Sequence, residues 1–473
     1  MIRILLVYPP FCTPAGPPYS ITNLYGFLKN NIKNIDLKVL DLNAAFHKIT
    51  YPTYLKYFQN LKRKFNHEEY AKYANEFIQH TKEVYSRNNK GVVSGKTPEL
   101  FQKMLKNITS WKPDIVAFSI VYSSQAFYAF ALLKELKKLN IKTIVGGPAI
   151  NHKLTGAATK FIKNEIEFLE YIKGTMTPQE QIDFRTNLDY SIYNPKDYFA
   201  PQLVMPIKTT STCYYQKCAF CSHHNSRMYY EFPLENIKDS LSVSNADVFG
   251  KKSRKKRTKN TNKAKKLVFI IDDMIHKKRI LQIAEILKPL NVSWMCQLKP
   301  TNDFDLATLK KLKASGLKNI IWGIESGSQR VLDMMQKGTV VADIEEVLRN
   351  TKKAGIKNSA YIMFGFPTET KEEFLETIHF LEKNKAEIDL ILTSVFGLQA
   401  STPVYNNPGM FSITQIHEEK RTILEPKIRY KVSKGLSQEE ANTLRRKYKH
   451  TIENINKYPK QMNFFREHLL YVD

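Results

Sequence analysis

Apolar residues along this chain occur in short runs separated by stretches with helical periodicity. The run from Ile2 to Val7 predicts a strand, and residues 21–28 show the spacing of an amphipathic helix. Strand-like runs follow at 36–42, 114–121 and 142–145, and apolar residues recur at helical intervals between the last two of these. Strands that alternate with helices predict a parallel sheet with helices on both faces.

A second alternation of the same kind fills the middle of the chain. Six strand patterns are predicted at 207–212, 267–272, 292–296, 319–325, 359–364 and 391–398. Helical patterns lie between them, which predicts a partial (βα)6, TIM-like barrel. The chemistry of such a barrel is expected at the carboxyl ends of its strands.

The 473 residues exceed the usual size of one domain, so several units are expected. We predict a doubly wound, Rossmann-like domain over 1–165, a linker over 166–204, the barrel over 205–400 and a helical C-terminal extension over 401–473. Residues 48–105 are predicted to be a helical insertion in the first domain. The apolar runs are too short for a signal peptide or a membrane span, which predicts a cytoplasmic protein.

The formal charge of +27 raises the question of an anionic partner such as nucleic acid. Lysines scattered over helices account for much of the excess. The exception is a predicted insertion at 250–266, since ten of the sixteen residues from Lys251 to Lys266 are Lys or Arg. We expect a solvated loop there, and contact with an anionic partner is the alternative.

Three of the five cysteines lie within nine residues, at Cys213, Cys218 and Cys221, just after the first predicted barrel strand. This crowding does not resemble a disulfide framework. Three thiolates hold a 4Fe-4S cluster and leave one iron open for a ligand. The alternative is a zinc site completed by His223 or His224.

The segment containing these cysteines reads CYYQKCAFC and resembles the signature of the radical S-adenosylmethionine (radical SAM) superfamily. Four residues separate the first two cysteines. Three are commonest in this superfamily, and four occur in some cobalamin-associated members. Downstream stretches WGIESGS at 322–328 and FGFPTET at 364–370, with Lys337-Gly338 between them, resemble the core of cobalamin-binding radical enzymes and related methylthiotransferases.

This resemblance implies that the open iron binds S-adenosylmethionine and that cleavage of the cofactor yields a 5′-deoxyadenosyl radical. It also implies that Asp272 and Asp273 accept from the cofactor's ammonium group. Glu325 and Ser326 are expected at its ribose hydroxyls or amino acid moiety. The alternative for each residue is an ordinary helix cap or surface position. Cys296 is expected in the core.

Residues 1 to about 160 resemble the cobalamin-binding domain that precedes the radical core in many family members. Ser119, Gly146 and Gly147 follow predicted strands, where such a domain binds its ligand. A tight turn is the alternative for the two glycines. No Asp-x-His-x-x-Gly stretch is present, so no histidine is predicted to ligate cobalt.

Together these features predict a radical SAM enzyme with a 4Fe-4S cluster and cobalamin that methylates an unactivated carbon. Its substrate, a small molecule, lipid or peptide, is not predicted by the sequence, although Trp322 and Tyr361 are candidates for shaping a barrel-facing pocket. The resemblance also implies an electron donor such as flavodoxin or ferredoxin. The alternatives are tRNA modification and a non-catalytic cobalamin-dependent regulator.

Overall fold

The computed structural model describes residues 1–224, 228–242 and 265–473. The predicted basic insertion lies almost wholly outside the described residues. Within the described residues, no helix combines the length and the apolar character that a membrane crossing requires.

Two parallel sheets and one hairpin organise the described chain. The strands are β1 Ile2–Tyr8, β2 Ile35–Asp41, β3 Ile115–Ser119, β4 Lys142–Gly146, β5 Lys160–Phe161, β6 Val204–Ile207, β7 Lys266–Ile270, β8 Val292–Leu298, β9 Leu317–Glu325, β10 Lys357–Phe364, β11 Leu390–Val395, β12 Ile413–Glu419 and β13 Lys427–Val432. The helices are Tyr19–Asn31, Leu42–Thr50, Pro52–Gln59, His67–Val93, Phe101–Thr109, Ala126–Lys138, His152–Ala157, Glu165–Lys173, Glu235–Ser242, Lys277–Leu287, Leu306–Ala314, Gln329–Met334, Val341–Lys353, Lys371–Lys383, Pro403–Asn406, Gln438–Lys447 and Lys449–Ile455. Short 3-10 helices include Lys460–Asn463 and Arg466–Leu470.

The first sheet has the order β2-β1-β3-β4-β5, and all its pairings are parallel. The prediction of an α/β unit with a parallel sheet is confirmed. The pattern missed β5, because its two exposed residues are too few to show a period. Four helices connect β2 to β3, and the longest, His67–Val93, buries Tyr70, Ala74 and Phe77 against the sheet's helical layer.

The second sheet has the order β11-β10-β9-β8-β7-β6, again all parallel, as six consecutive strand–helix units predict. Its first strand ends earlier than predicted, at Ile207 rather than Thr212. The residues that follow Ile207 are extended, but Thr209 and Thr210 donate their backbone amides to Asp272 instead of to a ladder. Both sheets direct the carboxyl ends of their strands to the loops that carry the predicted site residues.

The prediction of a helical C-terminal extension is wrong in part. β12 and β13 pair as an antiparallel hairpin, and the residues of β13 alternate between exposed and half-buried positions. Such a two-residue period is a strand signal, and the high charge of this segment masked it. The remainder of the extension is helical, and its last turn reaches back to the first unit: Phe465 and Leu469 pack in the same cluster as Phe58.

Candidate active site

The loop that carries the three clustered cysteines is anchored to the second sheet by a buried carboxylate. Asp272 lies just after β7, has no exposed surface, and accepts from the backbone amides of Thr209 and Thr210 at 2.9 and 2.6 Å. The hydroxyls of the same threonines also donate to the Asp272 carboxylate, at 3.0 and 2.6 Å. Burial raises the pKa of Asp272, and the hydrogen bonds from Thr210 and Thr209 partly offset this rise. Since both carboxylate oxygens are engaged, we interpret Asp272 as a positioning residue rather than as a cofactor ligand.

Cys213, Cys218 and Cys221 are free, half-buried, and close enough to interact electrostatically. The amide of Ala219 donates to the carbonyl of Met335 at 2.9 Å, which fixes the loop against the segment after β9. Burial raises the pKa of Cys218 to about 11, and burial also raises the pKa of Cys221. The thiols of Cys218 and Cys221 therefore keep their protons at neutral pH unless a metal replaces the protons.

The donor set fits an iron-sulfur cluster. In the described part of the chain, no three His, Cys, Asp or Glu side chains lie close enough to share one metal ion. A cluster does not require that closeness, because each thiolate binds a different iron. Of the residues considered for zinc, His223 lies 3.6 Å from Asp273, and the Nδ1 of His224 is buried without a partner among the described residues. Three thiols on one anchored loop leave a fourth cluster position open.

Glu325 forms a buried ion pair with Lys337 beside this loop. Their side chains meet at 2.9 Å, and only 4% of the Lys337 side chain is exposed. Burial disfavours the charge on Lys337, but the carboxylate of Glu325 and the thiol of Cys218 outweigh burial, so the pKa of Lys337 is raised. A Cβ at Gly323 would lie 2.9 Å from the Lys337 ammonium, so glycine at this position makes room for the pair.

Lys299 is a second buried lysine at the same loop. Its ammonium lies 3.4 Å from the centroid of the Tyr215 ring, between the first two clustered cysteines. The Tyr215 hydroxyl donates to the carbonyl of Gln336 at 3.0 Å. Gly338 has a φ of +61°, and a side chain there would overlap the Tyr215 hydroxyl. Burial lowers the pKa of Lys299 to about 8, and the charge of Lys337 contributes to this decrease.

Of the other two residues predicted to contact S-adenosylmethionine, one is enclosed and one is accessible. Ser326 is fully buried: its hydroxyl lies 3.1 Å from that of Thr377 and accepts from the amide of Ser328. It therefore shapes the turn after β9. Asp273 has 32% of its side chain exposed and lies 3.4 Å from Lys208. Of the adjacent aspartates, Asp273 is thus the one that can accept from a ligand.

The residues predicted at the first sheet's edge are occupied by contacts within the chain. The Ser119 hydroxyl donates to that of Ser20 at 2.7 Å. A Cβ at Gly146 would lie 3.1 Å from the carbonyl of Ile162, and one at Gly147, whose φ is +116°, would overlap the carbonyl of Ile120. The two glycines therefore fit a tight turn that packs against the backbone of the chain itself.

Polar residues nevertheless face one another where the first sheet's edge meets the second unit. Tyr122 of the first unit is 53% exposed. It lies close enough to interact electrostatically with Cys12 of the same unit and with Arg466 and Glu467 of the C-terminal extension. Tyr361 of β10 accepts a hydrogen bond from Arg466. The polar residues at this edge thus come from the first unit, the second unit and the C-terminal extension.

Two residues considered for the site belong to the core. Cys296 is completely buried among hydrophobic residues, as expected from its sequence. Trp322 is also completely buried, and its indole donates to Asn358 at 2.8 Å, so it does not line a pocket. Sequence reasoning assigned no role to Lys299 or Lys208. Lys337 carried a signal in the Lys337-Gly338 motif, but motif spacing does not reveal an ion pair with Glu325.

Comparison with known proteins supports this arrangement. Residues 207–381 match the model of the radical SAM superfamily. An uncharacterized methyltransferase of Pyrococcus horikoshii, PH0819, is 23% identical over 333 residues, which are 62% of this chain and 69% of that protein.

Two solved structures share the fold. The cobalamin-dependent S-adenosylmethionine radical enzyme OxsB with aqua-cobalamin bound superposes with a TM-score of 0.62 at 14% identity, over 93% of this chain and 66% of that one. The radical S-adenosylmethionine methyltransferase TsrM from Kitasatospora setae, with tryptophan substrate and a SAM analogue bound, has a TM-score of 0.64 at 12% identity, over 100% and 96% of the two chains. The chain thus spans slightly less than two thirds of OxsB but nearly all of TsrM. On this evidence residues 207–381 resemble the radical SAM superfamily, and the chain shares the α/β fold of the OxsB and TsrM structures.

Proposed function

We propose that this chain uses a 4Fe-4S cluster, S-adenosylmethionine and cobalamin to methylate an unactivated carbon of a substrate that is still to be identified. The observation that carries the proposal is the anchored loop with its three free thiols at the carboxyl end of a parallel sheet. The OxsB structure contains aqua-cobalamin, and TsrM is described as a methyltransferase. The fold that this chain shares with both supports the part of the proposal that concerns cobalamin.

When bound, the cluster supplies an electron to S-adenosylmethionine, and cobalamin carries the methyl group. Cys213, Cys218 and Cys221 would hold the cluster, and Asp272 keeps their loop in place. Asp273 is the accessible acceptor for the ammonium group of the cofactor.

The chain also limits the access of water to this loop. Ala219, next to the cysteines, is completely buried in an apolar cluster with Val331, Met335 and Phe366. Exclusion of water protects reactive species and strengthens electrostatic interactions. Cobalamin would lie at the edge of the first sheet, facing Tyr361 and Arg466 from the second unit and the extension.

The test is anaerobic reconstitution of the full chain with iron, sulfide and hydroxocobalamin. We expect cluster absorbance, bound cobalamin, and 5′-deoxyadenosine from S-adenosylmethionine when dithionite is added. Cys218→Ala should lose both the absorbance and the 5′-deoxyadenosine. Cys296→Ala, a cysteine of the core, is the matched control and should retain both.

The outcomes separate the parts of the proposal. If Cys218→Ala keeps its iron, or if the wild-type chain forms no 5′-deoxyadenosine, the radical chemistry is wrong for this chain. A full cluster without retained cobalamin contradicts only methyl transfer through cobalamin.

A further inference from the structure

A cleft in the helical insertion of the first unit contains none of the residues assigned to the cluster, to S-adenosylmethionine or to cobalamin. Its volume is about 390 Å³. The turn between the helices Leu42–Thr50 and Pro52–Gln59 forms one side, and the helix His67–Val93 forms the other. Clefts of this volume are typical of small-molecule sites. This insertion cleft is therefore large enough for a small ligand.

The long helix lines the insertion cleft with charged side chains. Glu76, Glu83 and Arg87 share one helical face there. Arg87 is neutralised by Glu99 at 2.7 Å, and Glu83 accepts a hydrogen bond from Gln79. Within the described chain, neither Glu76 nor Glu83 has a basic partner at ion-pair distance. The insertion cleft therefore carries negative charge that is not neutralised, although Lys and Arg outnumber Asp and Glu by 72 to 45 in the chain.

Two tyrosine rings form the aromatic part of the insertion cleft. The ring centroids of Tyr51 and Tyr54 lie 6.4 Å apart, and the Tyr54 hydroxyl is hydrogen-bonded to the Nδ1 of His80 at 2.8 Å. Burial raises the pKa of Tyr54, and the charge of Glu76 adds to this rise, so the carboxylate lies close to the phenol. Aromatic faces and carboxylates both attract ammonium groups.

A buried hydroxyl of the insertion cleft is also left without a proper partner. Tyr51 is 5% exposed. Its hydroxyl lies close enough to that of Thr81 to interact, but neither group makes a hydrogen bond of ordinary length and angle within the described chain. Such a group costs free energy until a partner satisfies it. The Tyr51 oxygen is therefore a further acceptor for a ligand that brings hydrogen-bond donors.

The spacing of the two carboxylates indicates the shape of that ligand. Glu76 and Glu83 are seven positions apart, which is about 10 Å along the helix axis. One ammonium group does not reach both, whereas two ammonium groups joined by an aliphatic chain do. In the described part of the chain, no three metal-ligating side chains lie close enough to share a metal ion, so the two carboxylates do not belong to a metal site.

We propose that the insertion cleft binds a linear aliphatic diamine. One ammonium group pairs with Glu76 and the other with Glu83, and the aliphatic chain packs against the rings of Tyr51 and Tyr54. The cleft shares no residue with the cysteine loop, so this binding site goes beyond the proposed function and does not depend on it.

The experiment is equilibrium dialysis of the full-length, cluster-loaded chain against labelled 1,5-diaminopentane at physiological ionic strength. We expect one diamine to bind per chain. In Glu76→Gln and in Glu83→Gln, binding should weaken about 5- to 10-fold, between the loss of an exposed ion pair and that of a buried charged hydrogen bond. Because neither glutamate has a basic partner, both variants should keep the unfolding temperature of the wild type.

Two competitors and one variant serve as controls. 1,5-Pentanediol has the same length without charge and should not displace the diamine. 1-Aminopentane has a single ammonium group and should displace it only at about 5- to 10-fold higher concentration than unlabelled diamine does. Glu68→Gln removes an exposed glutamate from the start of the same helix and should leave the affinity unchanged.

The inference is wrong if the diamine does not bind saturably, or if the diol displaces it. Equal weakening in Glu68→Gln and Glu76→Gln would show that only the general charge of the helix attracts the diamine, which also overturns the inference. None of these results bears on the cluster, which is tested separately by its absorbance and by formation of 5′-deoxyadenosine.

Discussion

Asp272 and Asp273 are adjacent and chemically identical, yet the fold uses them differently. Asp272 is fully buried and accepts from two threonines, whereas a third of the Asp273 side chain is exposed next to Lys208. Both residues lie beyond the end of β7, where Asp272 meets Thr209 and Thr210 and Asp273 meets Lys208. One carboxylate is therefore part of the scaffold, and the other is available to a ligand.

Substitution of each aspartate by asparagine should separate these roles. Asp272→Asn presents amide hydrogens to the Thr209 and Thr210 donors, so we expect the free energy of unfolding to fall by about 2 to 4 kcal/mol. Less cluster should then reconstitute. Asp273→Asn should cost less than about 1 kcal/mol, since its ion pair is partly exposed. The measurements are urea unfolding and iron content.

In Asp273→Asn we expect weaker binding of S-adenosylmethionine with an intact cluster. If the two variants lose stability to the same extent, Asp272 is not the anchor of the loop.

At the scale of elements, the loop between β10 and the helix Lys371–Lys383 contains a second buried carboxylate. Glu369 has no exposed surface, accepts from the amide of Gly365, and has one oxygen without a partner among the described residues. Burial raises its pKa from the ordinary 4.5 to about 8. A protonated Glu369 is therefore favoured in the folded loop.

This shift predicts how stability depends on pH. Between about pH 4.5 and pH 8 the folded chain holds a proton on Glu369 that the unfolded chain releases, so stability falls as pH rises through this window. The contribution is at most about 1.4 kcal/mol per pH unit. Urea unfolding across this range should show the decline in the wild type and a smaller decline in Glu369→Gln.

Glu372→Gln changes an exposed residue of the same segment and should behave as the wild type does. Identical pH profiles for the wild type and Glu369→Gln would show that Glu369 is ionised in the folded chain.

At the scale of the whole molecule, the C-terminal extension joins the two units. His468 is buried: Tyr70 donates to its Nδ1 at 2.8 Å, and its Nε2 donates to the carbonyl of Phe199 at 2.7 Å. Leu470 packs with residues of the second sheet, and Lys357 of β10 donates to the carbonyl of Val472 at 2.6 Å. The extension therefore contributes to holding both units around the site.

His468→Ala should destabilise the chain by about 2 to 4 kcal/mol, because it leaves two buried polar groups unpaired and opens a cavity. Calorimetry should show a lower unfolding temperature. His450→Ala, at an exposed position in the same extension, is the control. Equal unfolding temperatures for the two variants would mean that the His468 contacts contribute little to stability.

The amino-acid sequence by itself determined the α/β class, most strands of both parallel sheets and the resemblance of the middle segment to the radical SAM superfamily, because apolar periodicity and the spacing of Cys213, Cys218 and Cys221 are local properties. It missed the β12–β13 hairpin, where high charge concealed the two-residue period of β13. Only the tertiary structure decided which aspartate is accessible and that Glu325 pairs with Lys337. Those properties depend on residues distant in the chain, such as Thr209 and Asp272, which are 63 positions apart.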